Sequence, residues 1–240
     1  MASSTQSPVR RSPLHHWHVA RGARFTESDG WLLPSAYGSP SEEAETAREG
    51  VGLADISQMA KWSLRGRGVP AVASALGVAA PWSEAVTSTR EIAALRSAAV
   101  VGDGSITACW LAEQSLVLLS STTRLLLPAA VSAPAPDVLQ TDVTSTYAGF
   151  AAVGEGAEDL IGRLRSANGP FPRGSCAETI FAGWQALLVR PPATLVDEIL
   201  VYVPWDIGEY VWERLCEAGS DLGLAPIGIG ALGILRAANS

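Results

Sequence analysis

Between Leu53 and Leu64 the chain reads LADISQMAKWSL, with Asp55, Ser57, Met59 and Lys61 recurring at a spacing of two. Alternate residues of a strand face the same side of a sheet. The spacing therefore predicts one β-strand, Asp55–Arg65, whose four side chains line a common surface. A glycine-flanked turn separates this strand from an acidic helix over Ser41–Glu49, so helix and strand alternate from the outset.

The alternation continues along the chain. PLHHWHVA at 13–20 predicts a short helix after Pro13, and a loop with Gly22, Gly30, Pro34, Gly38 and Pro40 follows it. Val69–Leu76 is Ala-rich and helical. Glu91–Val101 and Ser105–Ser120 form a ββ unit divided by Gly102-Asp103-Gly104, a turn sequence. Prolines at 128, 134 and 136 break Leu125–Gln140 into loop or an interrupted short helix. Thr141–Val153 then alternates like a strand, and Gly156–Ala167 has helical spacing. Cys176–Val189 and Glu198–Val203 read as two further strands, and Asp206–Ala218 as a helix. Strand–helix–strand–strand–helix resembles a ferredoxin-like unit, and the fold class expected is α+β.

The bulk composition narrows the function classes. At 240 residues and 48 % hydrophobic content the chain can bury a sizeable core. Its net charge of -7, with no basic run, argues against a nucleic-acid partner. The longest apolar stretch, Leu116–Ala133, is interrupted by Ser120 through Arg124, so no membrane span is expected. Residues 1–12 read as a disordered leader without an apolar core. Cys109, Cys176 and Cys216 are odd in number and widely spaced, as expected of reduced cytoplasmic thiols. His15 and His18 would share a helical face, but no third ligand is indicated, so no metal is expected. Trp17, Trp31, Trp62, Trp110 and Trp184 either line an aromatic channel for a flat ligand or serve the core and partner contacts.

GLxDxSxMxK after a short acidic helix resembles the glycine-cleavage T-protein (aminomethyltransferase) family. His18, Gly22, Ala23, Gly30, Trp31 and Tyr37 fit that family's opening, Val203-Pro204 its EIYVP strand, and Leu224–Arg236 its GL-x-P-x-G-x-x-ARDTLRLE segment. Gln58 stands where a histidine is usual. Segments of the second half, such as FPRGSCAETIFAGWQALLVRPP, are similar to the gamma subunit of heterotetrameric sarcosine oxidase. The resemblance implies two interwoven ferredoxin-like α/β units without the family's C-terminal β-barrel. The first unit is expected over 13–140 and the second over 141–240.

The resemblance also implies a function: tetrahydrofolate-dependent one-carbon transfer or demethylation, with degenerate site residues. Two alternatives stand beside it. One is a non-catalytic accessory subunit bound to a flavoprotein partner. The other is the family fold repurposed for biosynthetic chemistry on a non-folate small molecule. The family's catalytic aspartate falls at Gly104 or Ser105, which makes neighbouring Asp103 the candidate acid or base, although Gly-Asp-Gly is also ordinary turn chemistry. Its pterin-binding glutamate falls at Leu200, with Asp197 and Glu198 just upstream, and its arginine falls at Leu232. Its asparagine falls at Ser120 or Ser121. The candidate ligand-binding residues are thus Asp55, Ser57, Met59, Trp110, Ser120, Asp197, Glu198 and Tyr202.

Overall fold

The computed structural model describes residues 9–78, 96–101, 106–124, 137–167, 169–192 and 196–237. The N-terminal segment holds β1 (Arg10–Arg11), α1 (His15–Ala20), β2 (Arg24–Ser28) and β3 (Trp31–Ala36), and the three strands make a small sheet in the order β1-β3-β2. The stretch expected to be a loop is therefore a hairpin. Asp29 and Gly30 turn it with φ of 49° and 74°, the positive pair of a type I′ turn for which Asp-Gly is a preferred sequence. Helix α2 (Pro40–Glu49) starts on a proline and carries Glu42 and Glu43 in its first turn, where a fixed φ and negative charge both suit a helix start.

The strand expected over Asp55–Arg65 is two strands, β4 (Val51–Asp55) and β5 (Lys61–Arg65). Asp55 itself causes the break. Its Oδ1 accepts the Ser57 N–H at 2.9 Å, an Asx turn that competes with strand pairing. The Met59 N–H then donates to the Ile56 carbonyl at 3.0 Å.

Next come α3 (Val69–Ala75), β6 (Arg96–Val101), β7 (Ile106–Ala112), β8 (Ser115–Ser120) and β9 (Leu139–Asp142). After a 3₁₀ turn at Thr144–Thr146 follow β10 (Tyr147–Val153), α4 (Ala157–Leu164), β11 (Ser175–Phe181), β12 (Trp184–Arg190) and β13 (Glu198–Pro204). The chain continues through α5 (Gly208–Ala218), β14 (Leu224–Ile227) and α6 (Ile229–Ala237). Three expected single strands are thus each divided. Residues 105–120 give β7 and β8, and 141–153 give the end of β9, the 3₁₀ turn and β10. Residues 176–189 fall into the β11–β12 hairpin, turned by Ala182 and Gly183 at φ 48° and 89°.

The large sheet runs β14-β4-β10-β13-β12-β11-β6-β7-β8-β5-β9. It contains two antiparallel ladders of ferredoxin-like order. In β9-β5-β8-β7, strand β5 leads through α3 to β7, and β8 returns between them. In β4-β10-β13-β12, β10 leads through α4 and β11 to β12, and β13 returns between them. The edge position beside β10 is filled by β4, which belongs in sequence to the first half of the chain. That borrowed strand is what interweaves the two units, and the fold is α+β.

Alternation decides what each face packs. On β13, Ile199, Val201 and Val203 face a core shared with Leu160 of α4 and Val211, Trp212 and Leu215 of α5. Leu64 of β5 and Trp110 of β7 pack with Val69 and Val72 of α3. A third core lies between the ladders, where Cys109, Leu111 and Leu119 meet Ala151, Leu200 and Tyr202, with Ala231, Leu232 and Leu235 of α6. No helix among the described residues is long and apolar enough to cross a membrane.

Candidate active site between the two ladders

The inter-ladder core is continuous with a cavity of about 430 Å³, a size typical of small-molecule sites. The inner faces of both ladders line it: Lys61, Ser63 and Arg65 from β5, and Tyr202 and Pro204 from β13. These are i, i+2 sets, so strand alternation alone brings them to one surface.

Lys61 is the only lysine in the chain, and it is buried. Its Nζ donates to the carbonyls of Ser57 (2.8 Å), Met59 (2.9 Å) and Thr144 (3.2 Å). An ammonium has three donors, so these bonds use its full capacity. Burial pushes its pKa down to about 7, against the opposing pull of Asp55 and Asp142.

Tyr202 lies beside it, with Lys61 Nζ 5.8 Å from the ring centroid. The ring rests on Gly149, its cross-strand partner. A β-carbon at Gly149 would stand 2.8 Å from Tyr202 Cε1, so the missing side chain lets the phenol pack closely against β10. Burial pushes the Tyr202 hydroxyl well above the usual phenol range.

The four residues expected on one surface are divided. Asp55 shares the outward face of β4 with Val51 and Leu53, which pack on the helices. Its carboxylate meets Nε2 of His18 at 2.9 Å and accepts the Ser12 hydroxyl. His18 Nδ1 in turn lies 2.6 Å from the Tyr37 hydroxyl. Burial alone would raise the Asp55 carboxyl, but its bond and charge contact with His18, then its bonds to Ser12 and Ser57, hold it below the usual range. Ser57 sits in the turn, where its Oγ accepts the Gly149 N–H at 3.1 Å. Met59 packs in the inter-ladder core. Of the four, only Lys61 lines the cavity.

The remaining candidates separate in the same way. Tyr202 lines the cavity, whereas Trp110 faces α3 on the far side of β7. Ser120 Oγ accepts the Thr122 N–H at 3.0 Å and closes the turn after β8. Asp197 accepts Nε and Nη2 of Arg190 at 3.0 and 2.6 Å, and Arg190 also holds Glu158 at 2.9 Å. Glu198 is buried at the inner face of β13 and accepts Nε and Nη2 of Arg236 at 3.1 and 2.5 Å. Leu200 and Leu232 are buried together in the inter-ladder core. Asp103 lies outside the described residues.

The tryptophans do not assemble a channel. Trp17 packs edge-on against Trp212 at 5.2 Å, Trp31 stands 6.2 Å from Trp205, and Trp184 is exposed at a hairpin end. Among the described residues no group of three His, Cys, Asp or Glu could hold a metal ion.

Sequence reasoning missed Arg65, Glu178, Gln185 and Leu187, which also line the cavity. Their signal is alternation along β5, β11 and β12, and on β11 and β12 it becomes readable only after residues 176–189 are divided at Ala182-Gly183.

Two interwoven ferredoxin-like ladders with a cavity of ligand size between them define an α+β fold. Residues 14–240 match the GCVT N-terminal domain, and the chain belongs to that family. It is 27 % identical over 235 residues to the aminomethyltransferase of Saccharopolyspora erythraea, covering 96 % of this chain and 64 % of that one. The Frankia alni aminomethyltransferase is 28 % identical over 239 residues, covering 95 % and 63 %. The chain thus spans somewhat less than two thirds of the length of these curated relatives. The aminomethyltransferase T of the Bartonella henselae glycine cleavage system has a similar fold, with a TM-score of 0.69 at 19 % identity, covering 95 % of this chain and 62 % of that one. A chain of the heterotetrameric sarcosine oxidase of Corynebacterium sp. U-96 matches with a TM-score of 0.58 at 18 % identity, covering 90 % of this chain and 97 % of that one.

Proposed function

We propose that this chain is a divergent member of the aminomethyltransferase family whose inter-ladder cavity binds a small molecule other than a reduced folate. The observation that carries this reading is the fate of the polar positions beside β13. The resemblance assigns the pterin-binding glutamate to Leu200 and an arginine to Leu232, and these leucines share one apolar core. The carboxylates just upstream, Asp197 and Glu198, are held by Arg190 and Arg236. A pterin edge presents paired donors that need a carboxylate, and leaving them unmatched costs about 1–3 kcal/mol. The residues present therefore fit tetrahydrofolate poorly, and no reaction step is assigned through it. The cavity's Tyr202 side and its apolar walls suit a different, largely apolar ligand.

Calorimetric titration with 5-formyl-tetrahydrofolate tests this directly. No saturation at millimolar ligand is the expected result. Micromolar binding that is lost in Glu198→Ala would return the chain to folate-dependent one-carbon transfer.

A second reading is supported by the fold likeness to a chain of the heterotetrameric sarcosine oxidase, at a TM-score of 0.58. On that reading it is an accessory subunit of a hetero-oligomer containing a flavoprotein. Co-expression with its genomic neighbours and gel filtration would show flavin absorbance co-eluting with the chain, and elution as a flavin-free monomer would reject it.

A further inference from the structure

The cavity has a largely apolar interior and a mixed rim. Leu111, Leu119 and Tyr202 are buried and Leu187 half-buried, whereas Arg65, Leu139, Thr141, Glu178 and Gln185 are exposed at the rim. The ionisable lining residues are Lys61, Arg65 and Glu178. Burial draws the Lys61 pKa down to about 7, so Arg65 is the lining residue that stays cationic across the neutral range.

Lys61 spends its donors on backbone carbonyls and offers a ligand no free contact. Arg65 forms no ion pair among the described residues, and its planar fork suits a carboxylate. Glu178 stands on β11, four places from β5 in the sheet order. It opposes a cavity ligand of higher negative charge, which favours one carboxylate over a dianion such as phosphate.

Resting on the small-molecule reading above, we propose that the cavity takes an amphipathic monocarboxylate. Its aromatic or aliphatic body packs on Tyr202, Leu111, Leu119 and Leu187, and its carboxylate sits in the fork of Arg65 at the rim.

The test compares three probes of one shape on the full chain by calorimetry: 4-phenylbutyrate, 4-phenylbutanamide and 4-phenylbutylamine. The carboxylate is expected to bind at least about five-fold more tightly than the amide, the strength of a rim contact of about 1 kcal/mol, and the amine most weakly. Arg65→Gln, at an exposed position, is expected to abolish the carboxylate–amide difference. Thr141→Trp, which narrows the rim, is expected to weaken all three. Equal binding of carboxylate and amide to the parent chain, tightest binding of the amine, or a preference that survives Arg65→Gln would overturn the carboxylate assignment and leave the cavity a small-molecule site. Failure of all three probes to bind the parent chain would instead overturn the small-molecule reading and this proposal with it.

Discussion

The ammonium of Lys61 donates to the carbonyl of Thr144 at 3.2 Å across 83 residues of sequence. The Val143 N–H donates to the Lys61 carbonyl at 2.9 Å, and the Lys61 N–H to Thr144 Oγ1 at 3.0 Å. The first strand of one ladder is thereby fastened to the turn that opens the first strand of the other. Lys61→Met removes the side-chain donor from three carbonyls at this junction. A loss of about 2–4 kcal/mol in unfolding free energy is expected, read from urea denaturation. A change below about 0.5 kcal/mol would mean that water already satisfies those carbonyls.

The same ammonium predicts a pH dependence. Its folded pKa near 7 lies below the reference value of 10.5, so between those values the unfolded chain holds the extra proton. Stability from this group therefore rises with pH through that window, by up to about 1.4 kcal/mol per pH unit. Below the folded value both states are charged, and the full cost of burying the ammonium applies. Subtracting the Lys61→Met stability profile from that of the parent isolates the effect. A flat difference between about pH 7 and pH 9 would show that the three carbonyls hold Lys61 protonated throughout.

Asp55 behaves in the opposite sense. Its folded pKa is held below the reference value of 3.8, so its contribution is present above that value and fades as pH falls through the folded one. Asp55→Asn keeps the shape but weakens the contact with His18, and about 2–4 kcal/mol of stability should be lost. His18→Ala should cost a similar amount. The double variant should fall well short of the sum, because both changes break the same contact. Additive losses would argue that the two side chains act independently.

Gly149 and Tyr202 couple the backbone to the cavity. Gly149→Ala would set a methyl 2.8 Å from the Tyr202 ring, and the ring must yield at a cost of about 1–3 kcal/mol. In Tyr202→Ala the obstruction is gone, so the added cost of Gly149→Ala in that background should nearly vanish. The same penalty in both backgrounds would trace the need for glycine to Ile56, whose Cγ1 is the next neighbour at 3.3 Å.

Much of the architecture was legible because it rests on local patterns. Helix α2 announced itself by Pro40 and the following acidic residues, and β13 by its apolar run. The break after Asp55 was hidden because residues 55–61 keep a period of two through a turn, so alternation continued where the backbone did not. Two hairpin turns, Asp29-Gly30 and Ala182-Gly183, carry only a two-residue signal. The borrowing of β4 by the second ladder had no local signal at all, since it pairs residues 52–55 with 150–153. The site followed the same logic. Tyr202 was found, but Arg65 and Leu187 depend on how two distant ladders face each other.

Glu198 and Arg236 carry the last prediction. The pair joins β13 to α6 beside Leu200 and Leu232, and the carboxylate is almost fully buried. Removing Arg236 alone, as Arg236→Met, leaves a buried carboxylate without its cation. The expected loss is about 2–4 kcal/mol, discounted because the arginine is partly exposed. Glu198→Gln alone should cost less, since the arginine can turn toward water. With both changes the buried charge is gone, and stability should recover most of what Arg236→Met lost. Urea denaturation of the four proteins closes the cycle. Full recovery would identify the pair as a self-neutralising replacement within an apolar core, whereas no recovery would mean that α6 is held to β13 by the ion pair itself.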